Sequence, residues 1–236
     1  RMSFYWEVEI LTTCALDYIT WENYYSPGVE TVDSVNVRRF RVAKKRNIKK
    51  FNKLSDLLRP NIDDISINDQ EIWMRDQGPW SPDFIKYIKK HKDEYDFFIF
   101  FTYLYATTYF ILPLVKDKAF LAPLAHDEWP IYFSMWNKLF EMPKGFIFNT
   151  EEEKKFLMSR FPKTQLNGPI VGVAVDNPER YRPEQFKRLY SINKPFLLYI
   201  GRIDPAKGCE KLINFFVRLK SLGTFPYKLV LLGKPT

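Results

Sequence analysis

Residues Phe97 to Val115 read FFIFFTYLYATTYFILPLV, nineteen residues without a charge. How that run is resolved decides what kind of fold the chain can adopt. Its length is close to what a bilayer core asks of a helix. Two features argue against a span. The opening, Asp96 to Phe101, fits a strand buried on both faces. Tyr103, Tyr105, Thr107, Thr108 and Tyr109 then place hydroxyls through the middle, and Pro113 interrupts the far end. The run therefore reads as a strand followed by a helix through about Leu114, inside an α/β fold.

The rest of the chain alternates strand and helix patterns, as in a mainly parallel sheet with helices on both faces. Val8 to Thr13 is an apolar strand, and Val29 to Val42 is a hairpin turning at Asp33-Ser34. Asn47 to Leu58 is a helix closed before Pro60. Ser66 to Pro79 has no clear period and ends in Gly78-Pro79, so a long loop is expected there. Ser81-Pro82 supplies an N-cap followed by proline at the first helical position, with Phe84, Ile85, Tyr87 and Ile88 on one face. Further strands are expected at Ala119–Leu124 and Gly145–Phe148. Between them Tyr132, Met135, Trp136, Leu139 and Phe140 keep helical spacing. Thr150 to Glu153 is a capping box, and Ile170 to Val175 has the composition of a buried strand.

From Asp176 the composition changes. Asn177-Pro178, Arg182-Pro183 and Asn193-Lys194-Pro195 mark a polar, proline-punctuated connection. The expected division is a first domain at 1–175, a linker at 176–195 and the start of a second domain at 196–236. The last contains a buried strand (Phe196–Ile200), a loop (Gly201–Lys207), a helix (Gly208–Leu222) and a strand (Lys228–Leu232). Leu212, Ile213, Phe216 and Leu219 are expected to face inward on that helix.

The chain carries 36 basic and 28 acidic residues, a net charge of +8. Part of the excess sits in Arg38, Arg39, Arg41, Lys44, Lys45, Arg46, Lys49, Lys50 and Lys53. Such a run suits anionic lipid headgroups or a phosphorylated substrate, or is a solvated face. No RNA-binding signature accompanies it, so nucleic acid is not the expected partner. Cys14 and Cys209 match no disulfide framework or metal-ligand spacing, and Arg1 to Tyr5 has no features of a secretory leader. Free thiols and the cytoplasm, or the cytoplasmic face of a membrane, are the expected setting.

The strongest chemical signal is Phe196-Leu197-Leu198-Tyr199-Ile200-Gly201-Arg202, followed by Ile203-Asp204-Pro205-Ala206-Lys207-Gly208. A strand ends in glycine, and two permanent cations flank a short loop into a helix. Ligands of open α/β sheets bind outside the carboxyl ends of strands. Amides at a helix start would add positive potential beside Arg202 and Lys207, which suits a diphosphate. On residues alone, two solvated loop cations are an equal reading.

This pattern resembles the retaining glycosyltransferases of family four, whose GT-B fold sets two Rossmann-like domains across a cleft. Val8-Glu9-Ile10-Leu11-Thr12-Thr13 resembles that family's second strand. Ala125-His126-Asp127, Phe148-Asn149-Thr150 and Leu229-Val230-Leu231-Leu232-Gly233 follow in the family's order. The resemblance implies transfer of a sugar, a hexose by preference, from a nucleotide-diphosphate donor with retention and without a metal. The acceptor would be a glycan, lipid or other glycoconjugate. It implies that Gly201, Arg202 and Lys207 hold the donor diphosphate and that His126 contacts the transferred sugar or reacting face. No further cofactor is implied. Trp73, Arg75, Gln77 and Trp80, on the expected loop, and Tyr103 past the central strand are candidates for the acceptor side.

The family's glycine-rich turn is expected before Arg1 and its Glu-x7-Glu segment after Thr236. The 236 residues by themselves are therefore expected to be incomplete and inactive. A sugar-nucleotide-binding scaffold without activity, and a sugar-nucleotide epimerase or hydrolase of the same fold, remain alternatives.

Overall fold

A computed structural model describes residues 2–175, 182–223 and 225–234. The chain is an α/β protein of two compact units, Arg1–Ala174 and Val175–Thr236.

The first unit opens with β1 (Glu9–Thr13), β2 (Gly28–Val32) and β3 (Val35–Phe40). β1 pairs parallel with β3, and β2 pairs antiparallel with β3 from Gly28–Arg39 to Val32–Val35. The two-residue turn works because Asp33 and Ser34 both take positive φ, 47° and 65°. Both central residues of the turn type that matches strand twist need that conformation.

Helix α1 (Ile48–Leu58) starts where Asn47 accepts the Lys50 N–H. Helix α2 (Ile67–Gln77) replaces the long loop expected over Ser66 to Pro79. Ser66 Oγ accepts the Asp69 N–H at 3.1 Å, and the buried face runs Gln70, Trp73, Met74. The helical stripe is hidden in the sequence because it opens on a glutamine. Gln70 is fully buried, yet its amide donates to Ile65 O and Ser134 Oγ while its oxygen accepts the Met135 N–H. A buried polar group satisfied in this way costs little.

Helix α3 (Pro82–His91) is capped by Ser81 and buries Phe84 and Ile88. The uncharged run then resolves into β4 (Phe98–Phe101), α4 (Ala106–Ile111) and a 3-10 turn at Leu112–Leu114. Among the described residues no helix is long and apolar enough to cross a membrane. β4 is not buried on both faces as expected. It is the edge of a parallel sheet ordered β4-β5-β6, with Phe101 exposed, while the central β5 (Ala119–Ala122) is almost wholly buried. Helix α5 (Met135–Phe140), β6 (Gly145–Phe146) and α6 (Glu151–Arg160) complete the unit. Tyr132, expected on the helix of α5, lies in a separate 3-10 turn, Trp129–Tyr132, and is exposed.

Ile170 to Val175 does not form the expected buried strand. Ile170 makes one parallel bridge to Phe148, and Val171, Val173 and Val175 are exposed. An apolar run becomes a buried strand only where the surrounding fold covers it, and none does here among the described residues.

In the second unit α7 (Pro183–Leu189) occupies part of the stretch expected as a linker, and 176–181 lie outside the described residues. β7 (Phe196–Ile200) and β8 (Lys228–Leu232) pair parallel, joined through α8 (Cys209–Ser221). Leu212, Phe216 and Leu219 are half-buried, whereas Ile213 is exposed. β7 is not the buried strand expected: Leu197, Leu198 and Ile200 are all exposed. A two-stranded sheet has too little cover for both of its faces.

Candidate functional site

The candidate residues fall into two groups, one in each unit, and each is described within its own unit.

In the first unit the loop after β5 presents His126. Its side chain is 72% exposed, with Nε2 3.6 Å from Glu128 Oε2. The other Glu128 oxygen accepts the Tyr103 hydroxyl at 2.9 Å. Tyr103 is fully buried, with its ring edge-on to Trp136. Burial, and then the Glu128 charge, hold its phenol far above the usual tyrosine range, so it remains a donor. Glu128 is thus gripped from the core and turned toward His126.

The backbone of this loop is fixed as well. Tyr103 N–H donates to Pro123 O, and Thr102 N–H to Ala122 O, tying the carboxyl ends of β4 and β5 together. Thr150 caps α6 by accepting the Glu153 N–H, as the capping box requires. The Glu153 carboxylate does not return to Thr150. It is buried, and accepts Ala125 N–H at 2.9 Å and Asn149 N–H at 2.8 Å. The residue before His126 is therefore pinned by a buried charge, a contact invisible in the linear motif.

The residues expected on the acceptor side separate. Trp73 is 2% exposed and donates its indole N–H to Ser55 Oγ, so it offers no stacking face. Tyr103, fully buried, offers none either. Both belong to the aromatic core because their helical and strand-end positions point inward. Arg75 is exposed, 3.6 Å from Glu71, with its guanidinium over the half-buried Trp80. Gln77 accepts from Trp21 and Arg46 through its backbone carbonyl.

In the second unit Gly201 follows β7 with φ 151°, and its N–H donates to Leu232 O at 3.0 Å. Gly233 lies so close that a Cβ there would be 1.7 Å from Gly201 O. Glycine at 233 is needed for the strand ends to touch. The loop is further held by Tyr199 Oη, which donates to Arg202 O at 2.7 Å. Gly208, at φ 72°, closes the 3-10 turn Pro205–Lys207 and opens α8.

The cations Arg202 and Lys207 are exposed at this carboxyl edge, beside the uncapped first turn of α8. Asp204, missed at the sequence level, sits between them. Its Oδ1 accepts the Lys207 N–H at 2.9 Å, and its Oδ2 is 3.5 Å from Arg202 Nε. It shapes the loop and removes part of its charge. The arrangement of backbone amides, helix end and two cations can bind an anionic oxygen group.

No protein-family model matches the chain, and no curated protein matches it. Among the described residues no three His, Cys, Asp or Glu side chains gather as a metal-ligand set.

Proposed function

We propose that the protein is a retaining glycosyltransferase of GT-B architecture, a hexosyl transferase working without a metal. It takes its sugar from a nucleotide-diphosphate donor and passes it to a glycan, lipid-linked or other glycoconjugate acceptor, in the cytoplasm or at the cytoplasmic face of a membrane. The observation that carries the reading is the second-unit loop, which places Gly201, Arg202, Lys207 and the α8 start in succession at the carboxyl edge of a parallel strand pair. As the sugar–oxygen bond breaks, negative charge develops on the diphosphate. Arg202, Lys207 and the helix amides stabilise it where it forms. Retention places the acceptor's attack on the face from which the diphosphate leaves. In the first unit His126, steadied by Glu128, offers an exposed ring to a sugar hydroxyl.

A panel of nucleotide sugars tested by thermal shift checks the reading. A donor raises the melting temperature in proportion to its binding to the native state. In the full-length protein a rise with at least one nucleotide sugar, together with sugar transfer in its presence, is the expected result. Binding without transfer points to a scaffold, and nucleoside diphosphate release without an acceptor points to a hydrolase. No shift with any donor removes the reading.

A further inference from the structure

A second concentration of positive charge lies in the first unit. A pocket of 80 Å³ opens between the start of α1, the end of α2 and the loop after β3, and Lys44, Lys45, Arg46, Lys50 and Arg75 line it. Asp76 is the one carboxylate among the lining residues. The nearby acids discharge this excess only in part. Lys45 pairs with Glu22 and Arg75 with Glu71, both as exposed pairs that water weakens. Lys44 and Lys50 have no ion pair among the described residues.

Arg46 forms the inner wall. Its guanidinium donates to the carbonyls of Tyr18, Asp76 and Gln77 and rests on the rings of Trp21 and Phe51. Burial lowers its pKa to about 10, which leaves it charged at neutral pH. Its charge meets carbonyl dipoles, and no carboxylate lies within ion-pair distance among the described residues. The α1 start adds positive potential, since Asn47 caps only the Lys50 N–H of its first turn.

The walls are preorganised. Trp21 takes an unusual φ of 55°, donates its indole N–H to Gln77 O at 2.6 Å, and packs against Gly78. A Cβ on Gly78 would come within 2.8 Å of that ring. Strained backbone of this kind gathers where a site is held in shape. Trp80 is fixed on the other side under Arg75.

Pockets that enclose whole small molecules run to roughly 300–1,000 Å³. One of 80 Å³ admits a single charged group and leaves the rest of its ligand outside. A carboxylate would leave most of the positive charge unmet, whereas a doubly charged tetrahedral group offers enough oxygens for several lysines and helix amides at once. We propose that this pocket binds the phosphate group of a phosphate-bearing ligand, gripped by Lys44, Lys50, Arg75 and the α1 amides against Arg46. The site does not depend on glycosyl transfer or on the Arg202 loop.

Protein labelled with 15N in its six tryptophans reports the pocket through the indole signals of Trp21 and Trp80. The probes are inorganic phosphate, a soluble sugar phosphate, and phosphatidylcholine vesicles with or without phosphatidic acid. We expect saturable shifts of the Trp21 and Trp80 signals, weakened at least tenfold in the Lys44→Gln/Lys50→Gln double variant. They should persist in Arg202→Ala/Lys207→Ala. Unmoved Trp73 and Trp136 signals report that the core is intact. Saturation by the soluble probes assigns the phosphate to a soluble ligand, and a response only to phosphatidic acid vesicles assigns it to lipid. The proposal is overturned if no phosphate probe gives a saturable shift. It is also overturned if Lys44→Gln/Lys50→Gln responds like the parent, or if the response vanishes in Arg202→Ala/Lys207→Ala.

Discussion

Glu153 accepts the Ala125 N–H at 2.9 Å, so the first turn of α6 holds the residue immediately before His126. The same carboxylate accepts the Asn149 N–H, and the side chain is buried. Glu153→Ala leaves one buried backbone donor, Ala125 N–H, and one half-buried donor, Asn149 N–H, without partners, at about 1–3 kcal/mol for the first and less for the second. Urea unfolding should show a loss of about 2–4 kcal/mol, with Glu153→Gln restoring at most one of the two bonds because its amide has a single acceptor oxygen. A midpoint unchanged in Glu153→Ala would mean that water or a shifted loop replaces the carboxylate.

Tyr103 gives the structure an alkaline limit. Burial raises its phenol above the usual range, as it does for Tyr95. A phenol with a higher pKa folded than unfolded contributes stability that is complete below pH about 10 and is lost as pH rises toward the native value. Unfolding free energy should therefore fall above pH about 10, and less steeply in Tyr103→Phe. At neutral pH that variant should lose about 1 kcal/mol for its bond to Glu128. Identical alkaline slopes in the two proteins would remove Tyr103 from this account.

Gly233 and Gly208 should respond differently to alanine. At Gly208 the space is open and only the positive φ resists, which costs about 1–2 kcal/mol. At Gly233 the new Cβ would collide with Gly201 O, so β7 and β8 must part. Gly233→Ala should lower the thermal stability of the second unit further than Gly208→Ala does, and nucleotide binding with it. Equal losses would show that the strand ends can separate without cost.

The turns and caps were legible in the sequence because each rests on one or two residues. Asp33-Ser34, Ser81 and Thr150 all do locally what their side chains allow, whereas Asn47, expected within its helix, caps it instead. Helix α2 was not legible, since a glutamine satisfied by one local and two distant partners holds a core position. Nor was the exposure of Val171 and Val173, because apolar composition does not say whether anything lies opposite. At the candidate site the sequence brought out His126, Arg202 and Lys207, which stand out as types. It concealed Glu128, Glu153 and Asp204, whose roles come from what their carboxylates reach. The burial of Trp73 shows the same limit, as a tryptophan suits a sugar platform and a core equally well.

His126 is largely exposed, and its one described partner is Glu128 at 3.6 Å. His126→Ala should leave stability within about 0.5 kcal/mol, as for other surface positions. Turnover of the full-length protein with a competent donor and acceptor should drop at least tenfold. Normal turnover in this variant would take the residue out of the reaction.

The central claim is that the Arg202–Lys207 loop holds the diphosphate of a nucleotide donor. Calorimetric titration of nucleoside diphosphates into the protein, Arg202→Ala and Lys207→Ala tests it most directly. Each charge-assisted contact is worth about 1.5–3 kcal/mol, and about 1.4 kcal/mol is tenfold in affinity. One nucleoside diphosphate should show a base-dependent binding event in the parent that is at least tenfold weaker in each variant, with both variants folded. Binding that is undiminished in both variants, or absent from the parent for every base, would contradict the account.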